Sequence, residues 1–527
     1  MPTDRVQLYD TTLRDGSQME GISLSVEDKI RITKKLDELG FEWIEGGFPG
    51  SNPKDAEYFR RLREVKLRNA KVSAFGGTRK PNTTCETDAN IQSMVAADTP
   101  GVTLVGKASL YQATEILETT PEENLAMIAD TVRYFKQLGK TVFFDAEHFF
   151  DGFYGDPDYS LQCLVTAARA GADALVLCDT NGGMTTRRML QAIEAVQQRI
   201  KDVRLGIHLH NDAGLAVANS LHAVEAGVWQ VQGCVNGYGE RCGNADILTI
   251  AANLKLKYGI DVMEDEQLAR LTEVANYVAE LANMALNPQT PYVGASAFAH
   301  KAGYHVAGII KDERAYQHVD PALVGNRSRV LVSELSGQRN LLVKLKEAGL
   351  DFLSQDEIKR LLEVVKEREA QGYQYEGAEA SFEMLVRRSL PGYQPPFELE
   401  DFVIVERRRV RKGDGANEML AEAMVKLNIN GETVHTAHEG NGPVNALDGA
   451  VRKALNPLFP QLEQVKLVDY KVRILDSQAA TGARVRVLIE STDGTRHWTT
   501  VGSSTDIIEA SWLALADALE YALTTEG

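Results

Sequence analysis

Between residue 6 and about residue 260 the chain alternates eight short β-rich runs with amphipathic helical stretches, and this alternation constrains the fold more than any other feature. The predicted strands are Val6–Tyr9, Trp43–Phe48, Lys71–Gly76, Val102–Lys107, Thr141–Glu147, Ala174–Asp179, Arg204–His210 and Trp229–Val235. Between them, Val26–Leu39 follows Ser25 with Asp28 at capping-box spacing. Glu122–Leu138 follows Thr120-Pro-Glu-Glu123, which supplies a cap, a first-turn proline and an acid in the first turn. Eight strand–helix units in roughly 250 residues is the count of a TIM (β/α)8 barrel. A doubly wound open sheet is the alternative, but no G-x-G-x-x-G follows any of these strands.

Barrel enzymes gather their chemistry at the carboxyl ends of the strands. Here Asp15 follows strand 1, Glu45 lies in strand 2 and Glu147 ends strand 5. Asp179 and Thr180 end strand 6, His208 and His210 end strand 7, and Asn236 and Asn244 follow strand 8. Core polar residues without a shared purpose would be scattered along the strands; these converge on one rim. His208 and His210, at i and i+2 on a strand, project from the same face and can grip one cation, with Asp15 offering the oxygen ligand that two neutral imidazoles leave missing.

At 527 residues the chain is too long for one core, and its length suggests about three domains. The expected division is a catalytic barrel over 1–265, a helical linker and lid region over 266–390, and a carboxyl-terminal domain over 391–527. After residue 265 long helices take over, with Asp265–Leu286 and Gln355–Ala370 predicted and a Gly-, Ser- and His-rich covering segment between them. Pro391-Gly-Tyr-Gln-Pro-Pro396 reads as a linker. Beyond it lies a weak duplication: hairpin signals at Asn430-Gly431 and Asp493-Gly494 are each followed by a small-residue loop and a helix, Ala446–Leu455 or Ile507–Ala522. This predicts an α+β domain built from two βα units.

A formal net charge of −17 argues against nucleic acid or an acidic membrane surface as partner. The amino terminus does not resemble a signal peptide, and no apolar run is long enough to span a bilayer. The five cysteines, at 85, 163, 178, 234 and 242, form no CxxC pair, which favours a reducing cytoplasm. Cys178 and Cys242 fall near the rim, where small thiols without an assigned base are expected to be structural.

Several segments resemble the metal-dependent acyl-CoA Claisen-condensing enzymes, the family that includes 2-isopropylmalate, homocitrate and citramalate synthases. They are Asp10-Thr-Thr-Leu-Arg-Asp-Gly-Ser-Gln18, Glu45-Gly-Gly-Phe-Pro49, His208-Leu-His-Asn-Asp212, Asn236-Gly-Tyr-Gly-Glu-Arg-Cys-Gly-Asn244 and Phe298-Ala-His-Lys-Ala-Gly-Tyr-His305. The carboxyl-terminal duplication is similar to that family's amino-acid-sensing regulatory domain.

The resemblance implies a divalent ion (Mn²⁺, Mg²⁺, Zn²⁺ or Co²⁺) held by Asp15, His208, His210 and Asn244. It implies Arg14 and Thr180 on the carboxylate of a 2-oxo acid, and acetyl-CoA as the second substrate. Glu147, His305 and Tyr316 would form the group that deprotonates acetyl-CoA, the last two reaching across a homodimer. Glu45 is expected to orient a ligand or Arg14, and His300 to be structural. Ser336-Gly337 resembles part of another family loop and carries no assigned role.

Strand 4 ends Val105-Gly-Lys107-Ala-Ser109, strand 5 ends Phe144-Asp145-Ala-Glu147-His148, and strand 6 ends Cys178-Asp-Thr-Asn-Gly-Gly183. These variants are most similar to family members that take pyruvate, with Lys107 and Asp145 as candidate substrate contacts. Isoleucine is the implied feedback effector. Rival readings are a family member using a larger oxo acid, a carbon–carbon lyase, and a non-catalytic amino-acid sensor.

Overall fold

The eight predicted strands close into one parallel barrel in the order of the sequence, and a computed structural model describes them residue by residue. The described residues are 5–330, 345–346, 353–375, 377–409, 418–475 and 482–525; Ser336-Gly337 lies outside them. The strands are β1 Gln7–Asp10, β2 Trp43–Gly47, β3 Lys71–Gly77, β4 Gly101–Lys107, β5 Thr141–Glu147, β6 Ala174–Asp179, β7 Arg204–Leu209 and β8 Gln230–Gly233. The barrel is closed by β1 on β8, with Gln7 opposite Gln230 and Tyr9 opposite Gln232.

Local chemistry explains the helix starts. Ser25 and Asp28 form the predicted capping box before Val26–Glu38. Thr120 accepts from the Glu123 backbone ahead of Pro121–Gln137, with proline at the first turn. The helices bury their apolar faces on the outside of the barrel, in a core that includes Ile32, Leu36, Phe135, Leu164, Ile193 and Val224.

Because strand side chains alternate, every second residue points inward. Near the amino-terminal end the interior is filled by Tyr9, Trp43, Phe143 and Ala174, with Phe143 edge-on to both Tyr9 and Trp43. Two residues further along β2 and β5 the inward positions turn polar, with Glu45 and Asp145, and His208 on β7 is buried with them. The barrel interior thus changes from aromatic to ionisable toward its carboxyl end.

Two expectations change. The helix predicted over Asp265–Leu286 is broken into Asp265–Leu268 and Leu271–Leu281, because Arg270 leaves helical geometry (φ −106°, ψ 4°), and Asn283 in the left-handed region (φ 53°) ends the run. Strand β8 stops at Gly233, because Val235–Gly237 coils into a 3₁₀ turn with Asn236 at φ 59°.

The contacts divide the chain into two compact units, Met1–Phe298 with Gln317–Ser328, and Ala299–Tyr316 with Arg329–Gly527. In the second unit, the short strands β9 Ala299–His300 and β10 Arg329–Val330 pair in parallel. Two three-stranded antiparallel sheets follow. The first is β11 Glu398–Arg409, β12 Glu418–Ile429 and β13 Glu432–Gly440; the second is β14 Lys466–Ile474, β15 Val485–Thr492 and β16 His497–Ser504. Helices Pro443–Leu455 and Ile507–Thr524 follow them, so each half is βββα where the sequence pattern showed only the hairpin and the helix. Asn430 and Gly431 (φ 55° and 85°) make the first hairpin turn, as an Asn-Gly pair does in a two-residue connection. The extra strands β11 and β14 lie at sheet edges, and β14 is mostly exposed on both faces, which erases the period-two pattern that marks a half-buried strand.

Candidate active site

The loop after β1 begins with Thr11, whose carbonyl accepts from the backbone of Arg14, Asp15 and Gly16 in a tight turn. That turn points Asp15 toward β7. His208 Nε2 lies 3.0 Å from Asp15 Oδ2 and His210 Nε2 lies 3.8 Å from the same oxygen. Asp15, His208 and His210 form the one group of three metal-ligating side chains found among the described residues, with ligand atoms within 4.8 Å of one another, and all three are buried.

Asn244 stands beside them, its backbone bridged to His210. Its Nδ2 donates to the Tyr238 carbonyl at 3.1 Å, which leaves Oδ1 buried with no hydrogen-bond partner among the described residues. The loop carrying Asn244 needs its glycines. A Cβ on Gly239 (φ 151°) would stand 2.2 Å from Asn244 Nδ2, and one on Gly243 (φ 83°) would stand 2.0 Å from the Gly237 carbonyl oxygen.

The donor set suits a divalent cation. Two imidazoles and a carboxylate converge, and an orphaned amide oxygen is what a fourth ligand looks like without its ion. The electrostatics agree. Burial raises the Asp15 carboxyl, but Arg14 and the hydrogen bond from His208 outweigh it and hold the group well below the usual range. Burial lowers His210, and His208 adds to that, bringing it down to about 4. Burial also lowers His208, but Asp15 outweighs it and leaves the imidazole above its ordinary value.

Arg14 is fixed from three sides. Its Nε donates to Glu45 Oε2 at 2.8 Å, its Nη1 lies 3.4 Å from Asp15 Oδ1, and its guanidinium stacks 3.9 Å over the Phe75 ring. Nη2 has no hydrogen-bond partner among the described residues, so one arm of the fork remains for an anionic substrate. The strand that carries Glu45 is itself braced. Lys29 and Asp55 pair in the interior, Lys29 Nζ donates to the Gly46 carbonyl, and Asp55 accepts from Phe48 N at 2.9 Å.

The remaining barrel candidates fall into three places. Lys107 and Glu147, cross-strand neighbours on β4 and β5, form an ion pair at the rim. Thr180 Oγ1 accepts from the His148 backbone at 2.9 Å, and the Thr180 carbonyl accepts from Arg241, which is bidentate to Asp212. Asp145 is buried below the rim and accepts from Gln232 Nε2 at 3.2 Å; burial, then the nearby Glu45 charge, pushes its carboxyl up to about 7. Asp179 spends its carboxylate on the backbone of Gly183 and Met184.

His305 and Tyr316 belong to the second unit, where their rings stack at 4.4 Å and both are exposed. His300 there has a buried Nε2 with no hydrogen-bond partner among the described residues.

Sequence reasoning missed Gln232, whose Oε1 lies 2.9 Å from His208 Nδ1. The signal was available: Gln230 and Gln232 sit at i and i+2 of a strand buried on both sides, where side chains that need hydrogen bonds require a reason.

Three family profiles cover most of the chain. Residues 5–278 match "HMGL-like", 292–372 match "Homocitrate synthase post-HMGL domain-like", and 376–523 match "LeuA allosteric (dimerisation) domain". The chain is 49% identical over 522 residues to the (R)-citramalate synthase of Aquifex aeolicus, covering 99% of this chain and 98% of that one. It is 48% identical over 519 residues to the (R)-citramalate synthase of Geobacter sulfurreducens, covering 98% and 97%. A probable 2-isopropylmalate synthase of Methanopyrus kandleri is 34% identical over 508 residues, covering 96% of each.

Proposed function

The chain belongs to the HMGL-like family and, within it, to the (R)-citramalate synthases, and from that premise we propose how its residues divide the work. The reaction joins acetyl-CoA, pyruvate and water into (R)-citramalate and free CoA, an acyl transfer in which the acyl group becomes an alkyl chain. The product enters isoleucine synthesis by way of 2-oxobutanoate.

The observation that carries the reading is the convergence of Asp15, His208 and His210 beside Arg14 at the barrel rim. Asp15, His208, His210 and Asn244 would hold a divalent cation, which supplies Lewis-acid polarisation of the ketone oxygen. Mn²⁺, Mg²⁺, Zn²⁺ and Co²⁺ all suit such a donor set. Arg14 presents its open arm to the pyruvate carboxylate, and Thr180, whose Oγ1 accepts from the His148 backbone, would donate its hydroxyl proton to that same group. The Arg14 charge is in place before the ketone carbon is attacked, so no reorganisation is needed as negative charge grows on the oxygen.

The methyl group of acetyl-CoA must lose a proton to become a carbon nucleophile. Glu147, His305 and Tyr316 are assigned as the group that removes it, the last two contributed by the second copy of a homodimer. The carbanion pair forms the new bond to C2 of pyruvate, and the ketone π pair moves to oxygen and takes up a proton. Water then cleaves the thioester, which releases CoA and draws the sequence forward. Lys107, paired with Glu147, keeps that carboxylate aimed across β4 and β5.

The chain divides functionally into a barrel over 1–265, a linker region over 266–390 and a carboxyl-terminal domain over 391–527. The last is assigned as the site of isoleucine feedback and of homodimer formation, supported by the match to an allosteric and dimerisation domain. None of the helices among the described residues is long and apolar enough to cross a membrane, and the five cysteines are free. A cytoplasmic enzyme fits both.

A thiol-release assay with pyruvate, 2-oxoisovalerate and 2-oxoglutarate tests the assignment. Pyruvate should be favoured by at least about tenfold, given what a methylene or two of misfit costs in a closed pocket. Preference for either larger oxo acid would move the chain to a neighbouring activity of the same family.

A further inference from the structure

A line of side-chain amides runs down the inside of the barrel from the metal-ligating end to the opposite face. Gln7 Nε2 donates to Glu42 Oε2 at 2.6 Å, and Gln230 Nε2 donates to Gln7 Oε1 at 2.8 Å. Gln232 Nε2 donates to Gln230 Oε1 at 3.4 Å and to Asp145 Oδ1 at 3.2 Å, and Gln232 Oε1 faces His208 Nδ1 at 2.9 Å. Gln7, Gln230, Gln232, Asp145 and His208 are all buried. The strand register places them in order: Gln7 opposite Gln230 across β1 and β8, and His208 opposite Gln232 across β7 and β8.

We propose that this amide column is a positioning device that fixes the tautomer of His208, with Glu42 at one end and Asp145 at its side as the groups that set its direction. A carboxylate accepts hydrogen bonds and does not donate them. Glu42 therefore requires the NH₂ of Gln7 to face it, which turns the Gln7 oxygen toward Gln230. The same requirement passes to Gln230 and then to Gln232. Asp145 in its ionised form demands it of Gln232 a second time, and when protonated it leaves the direction to Glu42. The remaining group of Gln232 that can face His208 is its oxygen, so Nδ1 of the imidazole must carry the proton. Nε2, the atom that reaches Asp15 at 3.0 Å, is then the nitrogen that gives up its proton and turns a lone pair to a cation when one binds. No amide in the column can flip alone without setting NH₂ against NH₂ or oxygen against oxygen. The proposal rests on the cation site assigned above and gives Asp145 and Gln230 a role through Gln232 rather than contact with substrate.

The test uses the full chain stripped of metal, with Mn²⁺ affinity read by electron paramagnetic resonance. Asp145→Leu with Gln230→Leu removes both acceptors for the Gln232 NH₂; Asp145→Leu with Gln230→Glu returns one. The first pair should weaken Mn²⁺ binding about tenfold or more, and the second should stay within about threefold of wild type. A packing role predicts the reverse order, because leucine is easier to bury than a carboxylate. In ¹⁵N-histidine spectra of the Zn²⁺-loaded protein, His208 should be Nδ1–H with the metal on Nε2 in wild type and a mixture of the two arrangements in the leucine pair.

Equal affinities for the two pairs would overturn the proposal. Asp15→Ala separates it from the site assignment: Mn²⁺ binding that survives this change sinks the site itself, whereas binding lost in Asp15→Ala and unchanged in the leucine pair sinks the column alone. Should the leucine pair not fold, a neutron structure of wild type decides. Deuterons on His208 Nδ1 and on the Glu42-facing nitrogen of each glutamine are expected, and a bare Nδ1 or one reversed amide refutes the proposal.

Discussion

Replacing Glu45 by glutamine should separate two roles that the structure assigns to one buried charge. Glu45 receives Arg14 Nε at 2.8 Å and is fully buried, with its other oxygen lacking a hydrogen-bond partner among the described residues. A hydrogen bond between charged groups contributes about 1.5–3 kcal/mol. If that energy is spent aiming Arg14 at the substrate carboxylate, its loss lowers kcat/KM for pyruvate by roughly 10- to 150-fold, at about 1.4 kcal/mol per factor of ten.

The same charge acts on its neighbours in the opposite sense. Burial and then Glu45 push Asp145 up to about 7, and burial with a smaller contribution from Glu45 does the same to Asp10. A carboxyl whose folded value lies above its unfolded value favours folding below the unfolded value, near pH 4, and loses that contribution as the pH rises through about 7. Raising a buried carboxyl from its ordinary value to about 7 corresponds to at most about 4 kcal/mol for each group. Glu45→Gln should therefore flatten the decline in stability between pH 4 and pH 8, by at least about 1 kcal/mol if Glu45 supplies a quarter of one shift. Urea unfolding at both pH values, alongside steady-state kinetics with pyruvate, measures the two effects together. A variant with kcat/KM within about threefold of wild type and an unchanged pH–stability slope would refute the reasoning.

Further tests address the rest of the site. Glu147→Gln should lower kcat by about 10²-fold or more as a lost member of the group that deprotonates acetyl-CoA, whereas Lys107→Met, which removes only the ion-pair partner, should cost about tenfold or less in the same thiol-release assay. Mn²⁺ affinity should rise with pH across the neutral range, with protons released as the metal binds. His210, brought down to about 4, is already neutral, while His208, held above its ordinary value by Asp15, must give up a proton to bind; calorimetry in buffers of different ionisation enthalpy counts it. Deleting residues 397–527 should abolish inhibition by isoleucine, and unchanged inhibition in the truncated chain would remove the regulatory assignment.

The barrel was readable because its strands alternate with helices whose caps are written into the chain, such as Ser25 with Asp28 and Thr120 before Pro121. The rim residues were readable for a related reason: a charged side chain at a strand end has few structural uses. Asp15 and His208 were placed by that argument and lie 3.0 Å apart. The support beneath them was not read. Gln232 and Gln230 stand in an apolar-looking strand, and what they touch comes from β1, β5 and β7, up to 223 positions away. Lys107 offered its charge equally to substrate or neighbour until the register put it opposite Glu147. The edge strands β11 and β14 escaped notice because exposure on both faces leaves no alternating pattern.

The central claim is that Asp15, His208 and His210 share one cation, and anomalous diffraction from crystals of the full chain grown with Zn²⁺ or Mn²⁺ tests it most directly. The account expects a single strong peak at the metal edge, about 2.0–2.3 Å from a carboxylate oxygen of Asp15 and from Nε2 of His208, with His210 and the Asn244 oxygen completing the shell. Crystals in which those side chains keep their places while the peak is absent, or lies elsewhere, would contradict it.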